Sequence, residues 1–363
     1  MYKILAINPG STSTKVALYE EEKLIFSNSI PHSAESLAEY PGISDQREMR
    51  GDVVKLLLKL HEERLHNLSA VVGRGGLLPP VSAGAYLVNP QMVDTLLHRP
   101  VLEHASNLGG VIAYEIAAPL GIPAMIYDPV TVDELEPIAR IAGLASMQRI
   151  AVAHNLNIRA TAMKYAKQQS KTIADMNLIV AHLGGGITMT LMKEGRMVDI
   201  VSDDEGPFSP ERSGGLPIFE LLKLAYSGQY DHKSLVRLLR GKGGLASHFG
   251  VNDAREIERR IAAGDQKAAL VYEAMAYNIA KNIGKLAAAA GGRVQSILLT
   301  GGLAYSRMLT GWIVERVGFI APVCILPGEN EMEALAFGAL RVLRGEEQAK
   351  TFAVDSHGVV VDG

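Results

Sequence analysis

The chain has a single cysteine, Cys324, in 363 residues, so it can build neither an internal disulfide framework nor a zinc site resting on several thiolates. That scarcity fits a reducing compartment, and a cytoplasmic location is expected. No apolar run approaches the roughly 20 residues that cross a bilayer. Met1 to Pro9 has too short an apolar core for a secretion signal, so no membrane partner is expected either. Charge of one sign is also lacking: 36 Lys and Arg face 39 Asp and Glu, a formal net charge of -3. Without a global basic field to release counterions, general nucleic-acid binding is excluded as the main function.

Glycine is present in surplus: 36 of 363 residues, about 10%, against a typical share of about 7%. With 21% charged and 48% hydrophobic residues the chain is not a glycine-rich disordered segment. Something folded uses many glycines. At roughly 150 residues per domain the length favours two domains.

Tyr2 to Ile7 reads as a strand, Asn8-Pro9-Gly10-Ser11 as a turn, Lys15 to Tyr19 as a second strand and Leu24 to Ile30 as a third. Val54, Leu57, Leu58, His61 and Leu65 recur at helical spacing and predict an amphipathic helix over Met49 to Asn67. A short strand at Ala70 to Val72 runs into Gly73-Arg74-Gly75-Gly76. Helix follows at Leu108 to Leu120, strand at Ala124 to Tyr127 and helix at His154 to Gln169. This alternation is the signature of an α/β fold.

The opening pattern then recurs. Leu178 to Leu183, Thr188 to Met192 and Met197 to Val201 read as three strands, the first two joined by Gly184-Gly185-Gly186. A later strand, Ser296 to Leu299, ends in Gly301-Gly302 as the earlier one ends in Gly75-Gly76. The chain is expected to be a duplicated βββ…α…β unit. Its first lobe would span residues 1–150, completed by a C-terminal helix around 330–345, and its second lobe 151–330. The polar tail, 346–363, is assigned no function.

Two familiar phosphate motifs fail. Gly10 to Lys15 lacks the second glycine of a P-loop and precedes a strand where a helix is required. Gly184 to Gly186 likewise opens a strand rather than the helix of a dinucleotide fingerprint. What remains in each half is a hairpin whose turn can offer backbone N–H groups and hydroxyls to phosphate oxygens. Ser11, Thr12, Ser13 and Thr14 supply such donors, and Asn8 a neutral side chain for a phosphate or a metal-bound water. The plain alternative for either stretch is an ordinary β-turn.

Read in order, Asn8 to Lys15, His182 to Gly186 and Asp253-Ala254-Arg255 resemble successive signatures of the acetokinase family, short-chain carboxylate kinases of the actin-like ATPase superfamily. Gly73-Arg74-Gly75-Gly76-Leu77, His104 to Gly109 and Asp128-Pro129-Val130 are most similar to butyrate and branched-chain fatty acid kinases. The resemblance runs from about Tyr2 to Leu343. It implies two duplicated RNase H-like lobes around a nucleotide cleft, Mg2+ with ATP or ADP, and reversible phosphoryl transfer to a carboxylate. It also implies a homodimer or larger homo-oligomer.

Roles follow by position. Arg74 and Arg212 match the arginines flanking the transferring phosphoryl group, and guanidinium suits planar oxyanions. His154 matches the histidine that stabilises that group. His104 either contacts substrate or caps the helix starting near Asn107. Asn8 and Glu331 match positions close to the metal. Asp128 serves the metal or orients an Arg or His. Ser11, Thr12, Ser13, Lys15, His182, Gly184, Gly185, Gly186, Gly301 and Gly302 are expected around the nucleotide. Asp253 and Arg255 match the pair beside the adenosine, the alternative being a plain charge pair at a helix start.

Acetate kinases usually carry a bulky Phe where Ala153 precedes His154, and a valine pair where Gly75-Gly76 follows Arg74. Both differences predict room for four- or five-carbon acids, linear or branched. Two other classes stay open on sequence: a non-catalytic ATP-gated binding protein on the same fold, and a sugar or polyol kinase using Asp128 as base.

Overall fold

Ile4, Leu5, Ala6 and Ile7 are all fully buried, an unbroken apolar run that suits a strand covered on both faces. They form the centre of β1 (Lys3–Pro9). In the computed structural model, which describes residues 1–354 and 360, β1 turns back into antiparallel β2 (Ser13–Glu20) and then β3 (Lys23–Pro31). β4 (Ala70–Arg74) pairs parallel with β1, and β6 (Ala124–Tyr127) parallel with β4. Short β5 (Ala85–Leu87) closes antiparallel on β6. Helices Asn107–Ala117 and Glu331–Leu343 pack on this sheet.

The second sheet contains β7 (Leu178–Leu183), β8 (Ile187–Lys193), β9 (Arg196–Val201), β10 (Ser296–Gly301) and β11 (Val323–Pro327). Its order, β11-β10-β7-β8-β9, repeats the β6-β4-β1-β2-β3 order of the first. In both, an antiparallel meander is followed by two strands parallel to the first. The duplication therefore extends to topology. The second core gathers Ile179, Met189, Leu191, Tyr272, Ile279, Ile283 and Leu299 between this sheet and the long helix Gln266–Ala289.

Met1–Asp133 with Asn330–Gly363 form one unit, and Glu134–Glu329 the other. The crossing thus lies earlier than residue 150. Residues 134–149 belong with the second sheet because they bond to β9: the Glu134 carboxylate accepts the Met197 N–H at 2.8 Å, Glu136 N–H reaches Val198 O at 2.9 Å, and Arg149 holds Asp199 at 2.8 Å.

Some elements are shorter than their periodicity predicts. The amphipathic helix runs Arg47–Leu60 and stops where Glu62 adopts a left-handed φ of 57°. The helix expected over Leu108 to Leu120 is Asn107–Ala117 followed by one tighter turn at Ala118–Leu120, with Pro119 inside that turn. The tail is structural in part: β12 (Lys350–Thr351) pairs parallel with β5, and Phe352 is fully buried. Lys350 Nζ reaches Ser82 Oγ and Ala83 O at 2.6 Å each. Tail residues 355–359 and 361–363 lie outside the described residues. Among the described residues no helix is long and apolar enough to cross a membrane.

Candidate active site

In the first unit, Asn8, Arg74 and Asp128 occupy the C-terminal ends of the neighbouring parallel strands β1, β4 and β6. The registers Ile7–Gly73 and Arg74–Tyr127 set them there. Open α/β sheets bind ligands at these strand ends. Arg74 Nη1 donates to Glu331 Oε1, and Asn8 Nδ2 donates to Glu331 Oε2 at 2.6 Å. Glu331 is the first residue of the helix Glu331–Leu343, where the helix dipole favours a carboxylate. Three sequence-predicted residues from distant segments therefore meet. The Arg74 Nε–H is buried and makes no hydrogen bond among the described residues. Asp128, 1% exposed, has a left-handed φ of 40°, and its Oδ1 accepts the Gly84 N–H at 2.7 Å.

The β1–β2 turn is closed by Gly10 N–H to Ser13 O at 2.8 Å. Ser11, Thr12 and Lys15 are exposed on it and Ser13 is half-buried. His104 serves the helix start as well as the turn: Nδ1 lies 2.9 Å from Ser106 Oγ, and Nε2 3.5 Å from Ser11 Oγ. The Gly75-Gly76 expectation needs correction. A Cβ on Gly75 would lie 2.8 Å from Pro129 Cα, and one on Gly76 2.6 Å from Asn107 Cα. Their missing side chains thus leave room for protein backbone, not for an acyl chain.

In the second unit the turn Gly184–Gly186 lies against Arg212: a Cβ on Gly186 would be 2.8 Å from the guanidinium Nε. Arg212 pairs with Asp203, which also takes Arg240 Nη2 at 2.6 Å. His154 and His182 stack with ring centroids 3.9 Å apart and an interplanar angle of 12°. Thr188 Oγ1 lies 2.9 Å from His154 Nδ1 and accepts the His154 N–H at 3.2 Å. Asn157 Nδ2 lies 2.8 Å from His182 Nδ1. Ala153 is buried beside His154. At the end of β10, Gly301 has φ 90° and passes close to the Leu183 carbonyl, while Gly302 faces open space.

Asp253 and Arg255 pair with each other at a helix start. Asp253 caps the helix Ala254–Ala262, accepts the Arg255 N–H at 2.9 Å and pairs with the guanidinium at 2.9 Å. The hydrogen bond from Arg255 holds the Asp253 carboxyl below its usual range.

Sequence reasoning missed Asp203, Arg240, Thr188, Asn157 and Arg50. Asp203 had a signal in the acidic run Asp203-Asp204-Glu205 just after β9. Arg50 had one too, since it occupies the i position of the apolar stripe Val54, Leu57, Leu58.

Residues 152–318 match the model of the acetokinase family. The chain is 49% identical over 353 residues to a protein described as probable butyrate kinase 2 from Caldanaerobacter subterraneus subsp. tengcongensis, covering 97% of this chain and 100% of that one. Among solved structures it resembles the Porphyromonas gingivalis acetate kinase, with a TM-score of 0.79 at 19% identity over 94% of this chain and all of that one. It also resembles a propionate kinase from Francisella tularensis subsp. tularensis SCHU S4, with a TM-score of 0.73 at 17% identity over 93% and 99% of the two chains. The structural likenesses establish the shared fold, and the 49% identity over nearly the full length, with the family-model match, shows that the chain belongs to the acetokinase family.

Proposed function

We propose that this chain transfers the γ-phosphoryl group of ATP reversibly to a four- or five-carbon carboxylate, giving ADP and an acyl phosphate. A carboxylate is already ionised at pH 7, so no base is needed. One of its oxygens attacks the γ-phosphorus, the bond to the β,γ-bridging oxygen breaks, and ADP leaves with the electron pair. The demand is then for positioning and for neutralising charge on the phosphoryl oxygens. The observation that carries this reading is the convergence of Arg74, Asn8 and Glu331 at the strand ends, with an Arg74 N–H to spare.

Arg74 and Arg212 are the cations we assign to the phosphoryl and carboxylate oxygens. Glu331 fixes the first and Asp203 the second. Thr188 Oγ1 holds the Nδ1 edge of His154 and its backbone N–H, and we assign the imidazole to stabilising the transferring phosphoryl group. Asp128 stands one residue past the β4–β6 pair Arg74–Tyr127, and we assign it to the metal or to orienting an Arg or His. Asp253 and Arg255 would flank the adenosine, with Gly302 beneath the nucleotide.

Among the described residues no cluster of three or more His, Cys, Asp or Glu could cage a metal. Mg2+ prefers oxygen donors, takes few protein ligands and keeps its waters. Glu331 and Asn8 are the residues that would meet it. Bound there, the ion would neutralise phosphate charge.

Acyl length is assigned from Ala153 and from the name of the 49%-identical relative. A homo-oligomer is supported by helices Ile218–Ala225 and His232–Leu239, which bury none of their residues, and a cytoplasmic location by the single cysteine. ATP-dependent hydroxamate formation from acetate, butyrate and isovalerate tests the reading. Butyrate or isovalerate should give the highest kcat/KM, with acetate lower by about 10- to 200-fold, the value of one or two methylenes in a pocket. Preference for acetate would overturn the pocket assignment, and phosphorylation of glucose in place of any acid would overturn the reaction.

A further inference from the structure

Arg50 lies on the helix Arg47–Leu60 and is completely buried. Its guanidinium makes five hydrogen bonds. Nε and Nη2 donate to Gln46 Oε1 at 3.1 and 2.9 Å. Nη1 donates to Gly10 O at 3.0 Å, Ser13 O at 3.1 Å and Thr14 Oγ1 at 3.0 Å. Every acceptor is neutral, and among the described residues no carboxylate pairs with it. A buried charge without a counter-ion is unfavourable, and burial accordingly lowers the Arg50 pKa. Folding nevertheless places this cation directly behind the β1–β2 turn.

The arrangement has two consequences for the turn. One nitrogen holds the carbonyls of Gly10 and Ser13, the same two residues that close the turn through Gly10 N–H to Ser13 O. Because C=O and N–H point in opposite directions across a trans peptide, drawing the Gly10 carbonyl inward directs the Ser11 N–H outward. Ser11 and Thr12 are the exposed tip. The guanidinium also leaves a positive charge with no internal partner on the inner side of that tip, in a low-dielectric setting where an oxyanion on the outer side would feel it strongly.

We propose that Arg50 is a positioning residue for phosphate: it orients the β1–β2 turn toward the phosphate oxygens of a nucleotide and supplies an unpaired charge behind it. This rests on the reading that the turn takes nucleotide phosphate.

The test is calorimetric binding of ADP and of adenosine to the full chain carrying Arg50→Met, which keeps the aliphatic stem, or Arg50→Lys, which keeps the charge. KM values for ATP and butyrate accompany it. Arg50→Met should weaken ADP at least tenfold and leave adenosine within twofold. It should raise the KM for ATP in proportion and leave that for butyrate within twofold. Arg50→Lys should recover part of the ADP affinity. Equal losses for ADP and adenosine in a folded variant would mark a merely structural arginine and overturn the proposal, as would unchanged ADP binding. Should Arg50→Met not fold, Arg50→Lys alone decides by the same ratio of ADP to adenosine losses. A wild-type chain that binds no ADP would overturn the phosphate reading and this proposal together. Wild-type ADP affinity in Arg50→Met overturns only the role of Arg50.

Discussion

Arg74 and Glu331, 257 positions apart in the chain, form one ion pair whose side chains are only 10% and 13% exposed. The arginine ends a strand and the glutamate begins a helix, so the pair ties the strand end to a helix laid on the same sheet. Arg74→Ala is expected to lower kcat at least about 10²-fold, the scale of losing one preorganised charge donor. Near-normal turnover would refute its role. Glu331→Gln keeps the shape and the Asn8 contact but removes the charge. It should lower kcat about tenfold or more and raise the Mg2+ concentration needed for half-maximal rate. An unchanged Mg2+ dependence would separate the clamp from the metal.

Asp203 accepts two guanidinium groups, from Arg212 and Arg240, while its own side chain is 5% exposed. Asp203→Asn leaves two cations facing a neutral amide. Fully buried pairs cost about 3–5 kcal/mol to break, but both arginines keep contact with water, so a loss of about 1–3 kcal/mol is expected. Thermal unfolding reads that loss. Steady-state kinetics should show a fall in kcat beyond it, because Arg212 loses its anchor. A variant with lowered stability and intact kcat would confine Asp203 to holding the fold.

Strands buried on both faces announced themselves as apolar runs, and β1, β4, β6, β7 and β10 lie within two or three residues of where hydropathy put them. The glycine turns were legible for the same reason, since a strand that stops at Gly-Gly must turn. What hydropathy could not show was partnership at long range. Asn8, Arg74 and Glu331 were singled out separately, by likeness to a family, and nothing local signals that one carboxylate takes both other side chains. Arg50 was overlooked because a charged residue in an amphipathic helix is ordinarily solvated, whereas here turn carbonyls satisfy it. The boundary at Asp133 was missed because hydrogen bonds to β9, not composition, assign residues 134–149 to the second unit.

Adjacent glycines at the end of β10 should behave oppositely. Gly301 has φ 90° and its Cβ direction points at the Leu183 backbone, so Gly301→Ala combines a left-handed conformation, costing about 1–3 kcal/mol, with a steric clash. Its midpoint of thermal unfolding should fall clearly. Gly302 meets nothing within 4 Å. Gly302→Ala should leave the midpoint nearly unchanged and raise the KM for ATP if the nucleotide passes over it. Wild-type KM in a well-folded Gly302→Ala would remove that position from the nucleotide site.

His32 makes the stability of the first unit pH-dependent. Its Nε2 lies 2.8 Å from Thr14 Oγ1. Burial, with the Arg50 charge nearby, holds its pKa below the ordinary 6.5. The unfolded chain therefore binds a proton more readily than the folded one, and unfolding free energy rises with pH between the two values. The contribution is complete above about 6.5 and is lost as pH falls through the folded value. Urea unfolding of wild type and His32→Gln at pH 5 and pH 7.5 should show the two curves converging at the lower pH. Parallel curves would mean that His32 titrates alike in both states.

The helix Ile218–Ala225 exposes Ile218 by 71%, Phe219 by 79% and Tyr226, just past its end, by 88%. Side chains of this size are seldom left so bare together on a chain that stays monomeric, and an isologous contact in a homodimer would cover them twice over. Phe219→Glu places a charge in such a contact on a side chain that is mostly exposed, so unfolding of the isolated chain should be little affected. Sedimentation velocity should then give an oligomer for wild type and a smaller species for Phe219→Glu at the same concentration. Equal sedimentation of the two would remove this helix from the interface, and a monomeric wild type would remove the interface itself.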